Sequence, residues 1–208
     1  AFIIDKTIRE QLLAEDPKSD ELIKRWVRGR DIKRWQVVWA GLYVIFTRRG
    51  VEIERYPAIK RYLERFRENL EPKKSSNQKR GRKPGPYNWY EIQDNIAYYK
   101  EFEHAKIIYP EVSADPRFAI DKNIFFTDKT TFMIPFNEQE LPYIIAIANS
   151  SLMSFFHKNL GSMMRGRYFM NSKIYIEQLP IVTNTNTATS RLIALVETIL
   201  PIIDPKFL

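Results

Sequence analysis

The chain has 208 residues, of which 44% are apolar and 13% aromatic, enough for one packed domain or for a domain with an appendage. It contains no Cys, which excludes disulfides and thiolate metal sites and fits a reducing cytoplasm, the expected location. The net charge is +8, unevenly spread: Glu21 to Lys83 holds 19 Lys and Arg against 7 Asp and Glu, whereas the remainder nets −4. A basic block of this kind attracts a polyanion through counterion release, or serves as a solvated surface. The longest apolar run, near Ile144 to Ala148, is far short of a membrane span, so no membrane partner is expected. Ala1 in place of an initiating Met leads us to expect an excised fragment or a processed product.

In chain order, Thr7 to Ala14 and Asp20 to Val27 read as two short helices separated by Asp16-Pro17, with Ser19 as a cap and Glu21–Arg25 as a helical pair. Trp35 to Thr47 reads as two short strands with a bend at Gly41, followed by a turn at Gly50. Pro57 to Leu70 predicts a helix whose apolar stripe is Ile59, Tyr62, Leu63, Phe66 and Leu70. Residues 72–86 form a basic loop with little to bury. Within it, Lys79, Arg80, Arg82 and Lys83 are either an arm that orders against a phosphate backbone or part of a flexible surface loop.

Beyond the loop, Lys106 to Tyr109 and Phe118 to Ile120 read as strands with a turn at Asp115-Pro116. Asn123 to Phe126 and Thr131 to Ile134 predict a hairpin. Glu140 to His157 reads as one long buried helix, Tyr168 to Ile176 as a strand, and Arg191 to Leu200 as a helix stopped by Pro201. Strands and helices interleave without a regular βαβ series, so we expect a mixed α+β fold, a mixed β-sheet with packed helices.

Signals for catalysis are missing. A methyl-donor site would need a Gly-rich turn, and an adenine methyltransferase an Asn/Asp-Pro-Pro-Tyr/Phe element; the sequence has neither. Asp115, Asp121 and Lys122 are the best candidates for a metal-dependent nuclease, but they lack the acidic-x-Lys spacing, and a turn and surface charge account for them. The two histidines, His104 and His157, are too few for a zinc site. No catalytic, cofactor-binding or metal residue is therefore assigned to this chain.

The short motifs that remain occur in a definite order. They are Gly29-Arg30-Asp31-Ile32-Lys33-Arg34-Trp35, Tyr43-Val44-Ile45-Phe46-Thr47, Tyr56-Pro57-Ala58-Ile59 leading to Leu70, and Trp89-Tyr90-Glu91-Ile92. Then come Lys106 to Pro110 with Glu111-Val112-Ser113, Ala148-Asn149-Ser150-Ser151-Leu152, Arg165-Gly166-Arg167-Tyr168, and Lys173 to Ile181. In this order the chain resembles the TaqI-like C-terminal specificity domain of type IIG restriction–modification enzymes and related adenine-specific DNA methyltransferases.

The resemblance implies a target-recognition-domain fold that reads double-stranded DNA for an upstream methyltransferase domain, sometimes accompanied by a nuclease. S-adenosylmethionine, and Mg²⁺ where a nuclease is present, would belong to that parent protein. Residues 1–28 would be a helical connector from the upstream domain, 29–182 the recognition domain with its basic loop, and 183–208 a C-terminal helical segment. Arg165, Arg167 and Tyr168, around Gly166, are either a base or phosphate contact or a structural turn whose arginines meet carboxylates. Arg30, Lys33 and Arg34 are the next candidates, as phosphate contacts, with Asp31 fixing a turn and Ile32 in the core. Trp35, Trp39, Trp89 and Tyr90 read as core. The alternatives are a nuclease fragment whose acids converge only in the fold, and a protein-docking domain of a phage-defence complex.

Overall fold

A computed structural model describes residues 2–75, 77–135, 137–164, 166–181 and 187–203. The chain divides into two compact units, Ala1–Trp26 with Gly41–Tyr99, and Val27–Ala40 with Lys100–Leu208. Strands and helices mix in both, and the sheets are three-stranded and antiparallel.

The first unit is built on the sheet β1(Ile3–Ile4)–β3(Leu42–Ile45)–β2(Ile23–Trp26). Helix α1 (Lys6–Glu15) starts where the Asp5 carboxylate accepts the Ile8 N–H, a side-chain cap. Asp20 to Val27 is not a helix: a 3-10 turn at Pro17–Glu21 leads into β2, because Ile23, Lys24, Arg25 and Trp26 pair with β3. Glu21 accepts the Tyr56 hydroxyl hydrogen bond at 2.6 Å rather than serving a helical pair. Gly41 and Gly50 take left-handed φ values of +72° and +81° at the bend and the turn.

Helix α2 (Pro57–Glu64) and the short α3 (Arg67–Leu70) together occupy the predicted helix, broken at Arg65-Phe66. Ile59, Leu63 and Leu70 are buried beside Ile4, Leu12 and Ile45, as the helical stripe requires. The basic loop that follows is tied at its base by backbone bonds between Glu71, Lys73 and Arg82.

The second unit has two sheets. In one, β4 (Lys106–Pro110), buried along its whole length, lies between β6 (Ala119–Asp121) and β7 (Thr131–Pro135). The expected 123–134 hairpin is absent, because β7 pairs with β4. Asn123 and Phe125 instead donate their N–H groups to Asp121, with Ile124 at a φ of +58°. Asp121, expected at the surface, is fully buried against Lys106.

The other sheet runs β5(Val112–Ser113)–β9(Tyr168–Met170)–β8(Met163–Met164). The long helix expected over Glu140 to His157 is two, α4 (Leu141–Ala148) and α5 (Ser151–Leu160), because Ser150 caps a new start by accepting the Met153 N–H. Helix α4 is largely buried, whereas α5 leaves Leu152 and Phe155 exposed. After β9 the chain turns into α6 (Lys173–Ile176), so the expected strand ends at Met170. Helix α7 (Thr187–Ile203) packs Val196 and Leu200 into the core and runs past Pro201. The expected boundary at Val182 lies outside the described residues.

Candidate nucleic-acid interface

The segment Val27–Ala40 joins the second unit and carries Arg28, Arg30, Lys33 and Arg34. Its entry is fixed by Asp31, whose buried carboxylate accepts the Arg28 N–H at 3.0 Å and two guanidinium bonds at 2.9 and 3.0 Å. A Cβ on Gly29 would lie 2.6 Å from the Thr130 carbonyl oxygen, so glycine is required by close approach. Ile32 is fully buried beside Val27 and Ile108.

Further on, Trp35 adopts a φ of +77° and donates its N–H to Phe118 at 2.9 Å, bridging to Ala119. This seats the motif on β6 and directs Arg34 to Asn149, whose carbonyl accepts from the guanidinium. Asn149 is itself fixed, its amide pairing with both backbone groups of Phe118 at 3.1 and 2.9 Å. Arg30 and Lys33 are exposed, and the Lys33 ammonium donates to the Arg30 carbonyl.

These contacts build a polar cleft of about 400 Å³, lined by Arg34, Asp115, Pro116, Arg117, Asn149 and the serines 150, 151 and 154. Lys158 pairs with Asp115 at 2.6 Å and holds its carboxyl below the usual range, helped by Arg117 and Arg34. Arg117 and Ser154 were not singled out from the sequence, whereas Ser150 and Ser151 belong to the Ala148-to-Leu152 motif. The available signal was a basic residue directly after the Asp115-Pro116 turn. A larger cavity, about 980 Å³, has mainly apolar walls including Tyr109, Phe132, Ile176 and Ile193. It also carries Glu140, and Glu177 paired with Lys173 at 3.3 Å, so its lining has no excess of positive charge to hold a polyanion.

The second candidate element is the β8–β9 hairpin, registered Met163 to Phe169 and Met164 to Tyr168. Its connection includes Gly166 at a φ of +80° and Arg167 at +63°. Arg167, Tyr168, Met163 and Met164 are all exposed, while Phe169 turns inward onto the His157 ring. Arg165 lies outside the described residues.

The hairpin is anchored through the Tyr109-to-Ser113 motif. β9 pairs with β5, and the Asn171 side-chain amide donates to Pro110 at 2.7 Å and to Ser113 at 2.9 Å. Two of the ordered sequence motifs thus meet in one sheet, which carries the exposed Arg167 and Tyr168.

In the first unit, Lys79, Arg80 and Lys83 are exposed, and Arg80 pairs with Glu68. Arg82 is different. Its guanidinium donates to the carbonyls of Leu70, Glu91, Trp89 and Asn88, and lies 4.5 Å from the Tyr87 ring centroid. It closes the basic loop. Trp35, Trp39, Trp89 and Tyr90 are all partly buried and pack against core clusters.

Residues 24–181 match the TaqI-like C-terminal specificity domain. The chain belongs to that family. Relatives of this specificity domain include the type II methyltransferase M.MjaIV of Methanocaldococcus jannaschii, 23% identical over 90% of this chain and 63% of its own length. M.BstVI of Geobacillus stearothermophilus and M.PaeR7I of Pseudomonas aeruginosa are each 23% identical as well, over 76% and 74% of the chain. The match spans only 28% and 26% of those two proteins.

Among solved structures, the type IIL restriction–modification enzyme MmeI in complex with DNA shares the fold at a TM-score of 0.62 and 16% identity. That match covers 98% of this chain and 26% of MmeI. Among the described residues, no three His, Asp or Glu side chains group as metal ligands, and no helix is long and apolar enough to cross a membrane.

Proposed function

We propose that this chain is the sequence-specific double-stranded DNA recognition module of a type IIG-like restriction–modification adenine methyltransferase, and performs no catalysis itself. The observation that carries this reading is the exposed hairpin tip with Arg167 and Tyr168, anchored on the Tyr109-to-Ser113 motif within a specificity-domain fold. Arg can form two hydrogen bonds to the major-groove edge of guanine, and one good pair discriminates by about 1–3 kcal/mol. Arg167 and Tyr168, with Arg165, take the reading role. Arg30, Lys33 and Arg34, with Lys79, Arg80 and Lys83, hold phosphates, which fixes register without reading sequence. Arg82 supports that set by closing the loop that bears it.

The parent protein would supply the chemistry. An upstream methyltransferase domain would bind S-adenosylmethionine and receive an adenine flipped out of the duplex. A nuclease domain, where fused, would use Mg²⁺. Residues 1–28 arrive from that upstream part while contributing β1, α1 and β2 to the first unit. Residues 29–182 form the recognition domain, residues 183–208 its C-terminal segment, within which α7 is the described helix, and the system works in the cytoplasm.

Fluorescence anisotropy with a labelled duplex, titrated at rising salt, tests the reading. Affinity should fall steeply and linearly in log–log form, as expected of a phosphate-binding protein. Flat binding would contradict it, as would cleavage of plasmid by the purified chain with Mg²⁺.

A further inference from the structure

The cleft along α5 has a composition that the hairpin does not explain. Arg34 and Arg117 enter it from two separate segments, and Ser150, Ser151 and Ser154 line its helical wall. The cations there are only partly used. Arg34 donates to the Asn149 carbonyl and lies over the Trp35 ring at 5.7 Å to its centroid, and among the described residues the Arg117 guanidinium donates no hydrogen bond and meets Asp115 only at longer range. Asp115 is the single acid in the lining, and its charge is already answered by Lys158 at 2.6 Å. Two arginine forks, hydroxyl donors and a helix start together suit a tetrahedral dianion or monoanion better than any neutral ligand.

The position along α5 adds a second argument. The cleft lies at the start of α5, and the reading hairpin follows directly from the end of the helix at Gly161. Ten residues of α-helix span roughly 15 Å, close to the ~12 Å width of a DNA major groove. The cleft and the hairpin thus stand at opposite ends of one helix, a separation comparable to the spacing of contacts across a groove.

We propose that the Arg34–Arg117 cleft binds a backbone phosphate of the duplex flanking the bases read by the hairpin, with Ser154 as a hydroxyl donor and Asp115 as the opposing charge. This inference rests on the DNA-reading function above. It adds a site at which sequence plays no part.

The test uses the full chain and a labelled 30-base-pair duplex of arbitrary sequence, measured across a salt series. Arg117→Ala and Arg117→Gln should each weaken binding about three- to tenfold and reduce the slope of log affinity against log salt by about 0.9, the loss of one phosphate contact. Arg117→Lys should restore the slope, because charge suffices for it. Asp115→Asn should strengthen binding several-fold, which a purely structural role for Asp115 would not do. Unchanged melting temperatures identify the variants as folded. If Arg117→Ala matches the wild type in affinity and slope while Lys33→Ala weakens binding and lowers the slope, the cleft proposal is overturned and the DNA-binding function stands. A wild-type chain that ignores the duplex at every salt concentration overturns both.

Discussion

The Lys106 ammonium lies 2.6 Å from a carboxylate oxygen of Asp121, and neither side chain is exposed to solvent. The two are cross-strand partners on β4 and β6. Lys106 also donates to the carbonyls of Phe102 at 2.8 Å and His104 at 3.3 Å, while Asp121 accepts the N–H groups of Asn123 and Phe125. Burial pushes the Lys106 ammonium down from its ordinary pKa and the Asp121 carboxyl up, so the pair is held by its bonds against a desolvation cost.

Removing either partner alone leaves a buried charge without its counterpart. Lys106→Met or Asp121→Asn should each lower unfolding stability by about 3–5 kcal/mol. The double substitution should recover much of that loss, since Asn can still accept a backbone N–H. Urea denaturation of the three variants measures this, and additive losses would contradict it.

Arg82 gives a prediction of the opposite kind for a residue of the basic loop. Its bonds to the Leu70 and Glu91 carbonyls, both at 2.7 Å, predict that Arg82→Ala costs about 2 kcal/mol of stability. Lys83→Ala, at an exposed position, should leave stability within about 0.5 kcal/mol and weaken only duplex binding. Paired urea and anisotropy measurements separate the two.

The hairpin tip allows stability and recognition to be pulled apart at one residue. Arg167 sits at a left-handed φ of +63°, which costs a non-glycine residue about 1–2 kcal/mol. Arg167→Gly should therefore raise the melting temperature while reducing duplex discrimination, and Arg167→Ala should reduce discrimination without that gain. A melting temperature that falls for the glycine variant would mean the side chain has a structural role.

His157 makes stability depend on pH. It is buried in α5 against Phe169, and burial, with Lys158 nearby, holds its pKa below the usual histidine value against the opposing pull of Asn171. The unfolded chain then binds the extra proton first. The stabilising contribution is full above the unfolded pKa of about 6.5 and is lost as pH falls towards the lower folded value, at no more than ~1.4 kcal/mol per pH unit. His157→Leu should flatten the urea midpoint between pH 7.5 and pH 5.

The elements legible in the sequence are those whose signal is local. The Ile59, Leu63 and Leu70 stripe and the bend and turn at Gly41 and Gly50 follow from neighbouring residues, whereas the Asp31 turn came from the family resemblance. What was missed is non-local. Ile23 to Trp26 is a strand because β3, some twenty residues later, pairs with it, and Glu21 and Arg25 offered a helical spacing instead. Asp121 looked like surface charge because its partner Lys106 lies fifteen positions away.

The same holds for the candidate interface. Arg30, Lys33, Arg34 and the hairpin were visible as basic motifs, but Arg117 gained meaning only when Asn149 brought Arg34 beside it. Arg82 looked like one more cation in a basic run until its carbonyl partners were in view.

The central claim is that this chain reads DNA sequence. Selection from a library of randomised duplexes, with the wild type, Arg167→Ala and Lys74→Ala in parallel, tests it most directly. The account predicts one short enriched motif for the wild type, kept by Lys74→Ala and degraded by Arg167→Ala. Recovery of no common motif by the wild type, under conditions where it binds duplex, would contradict it.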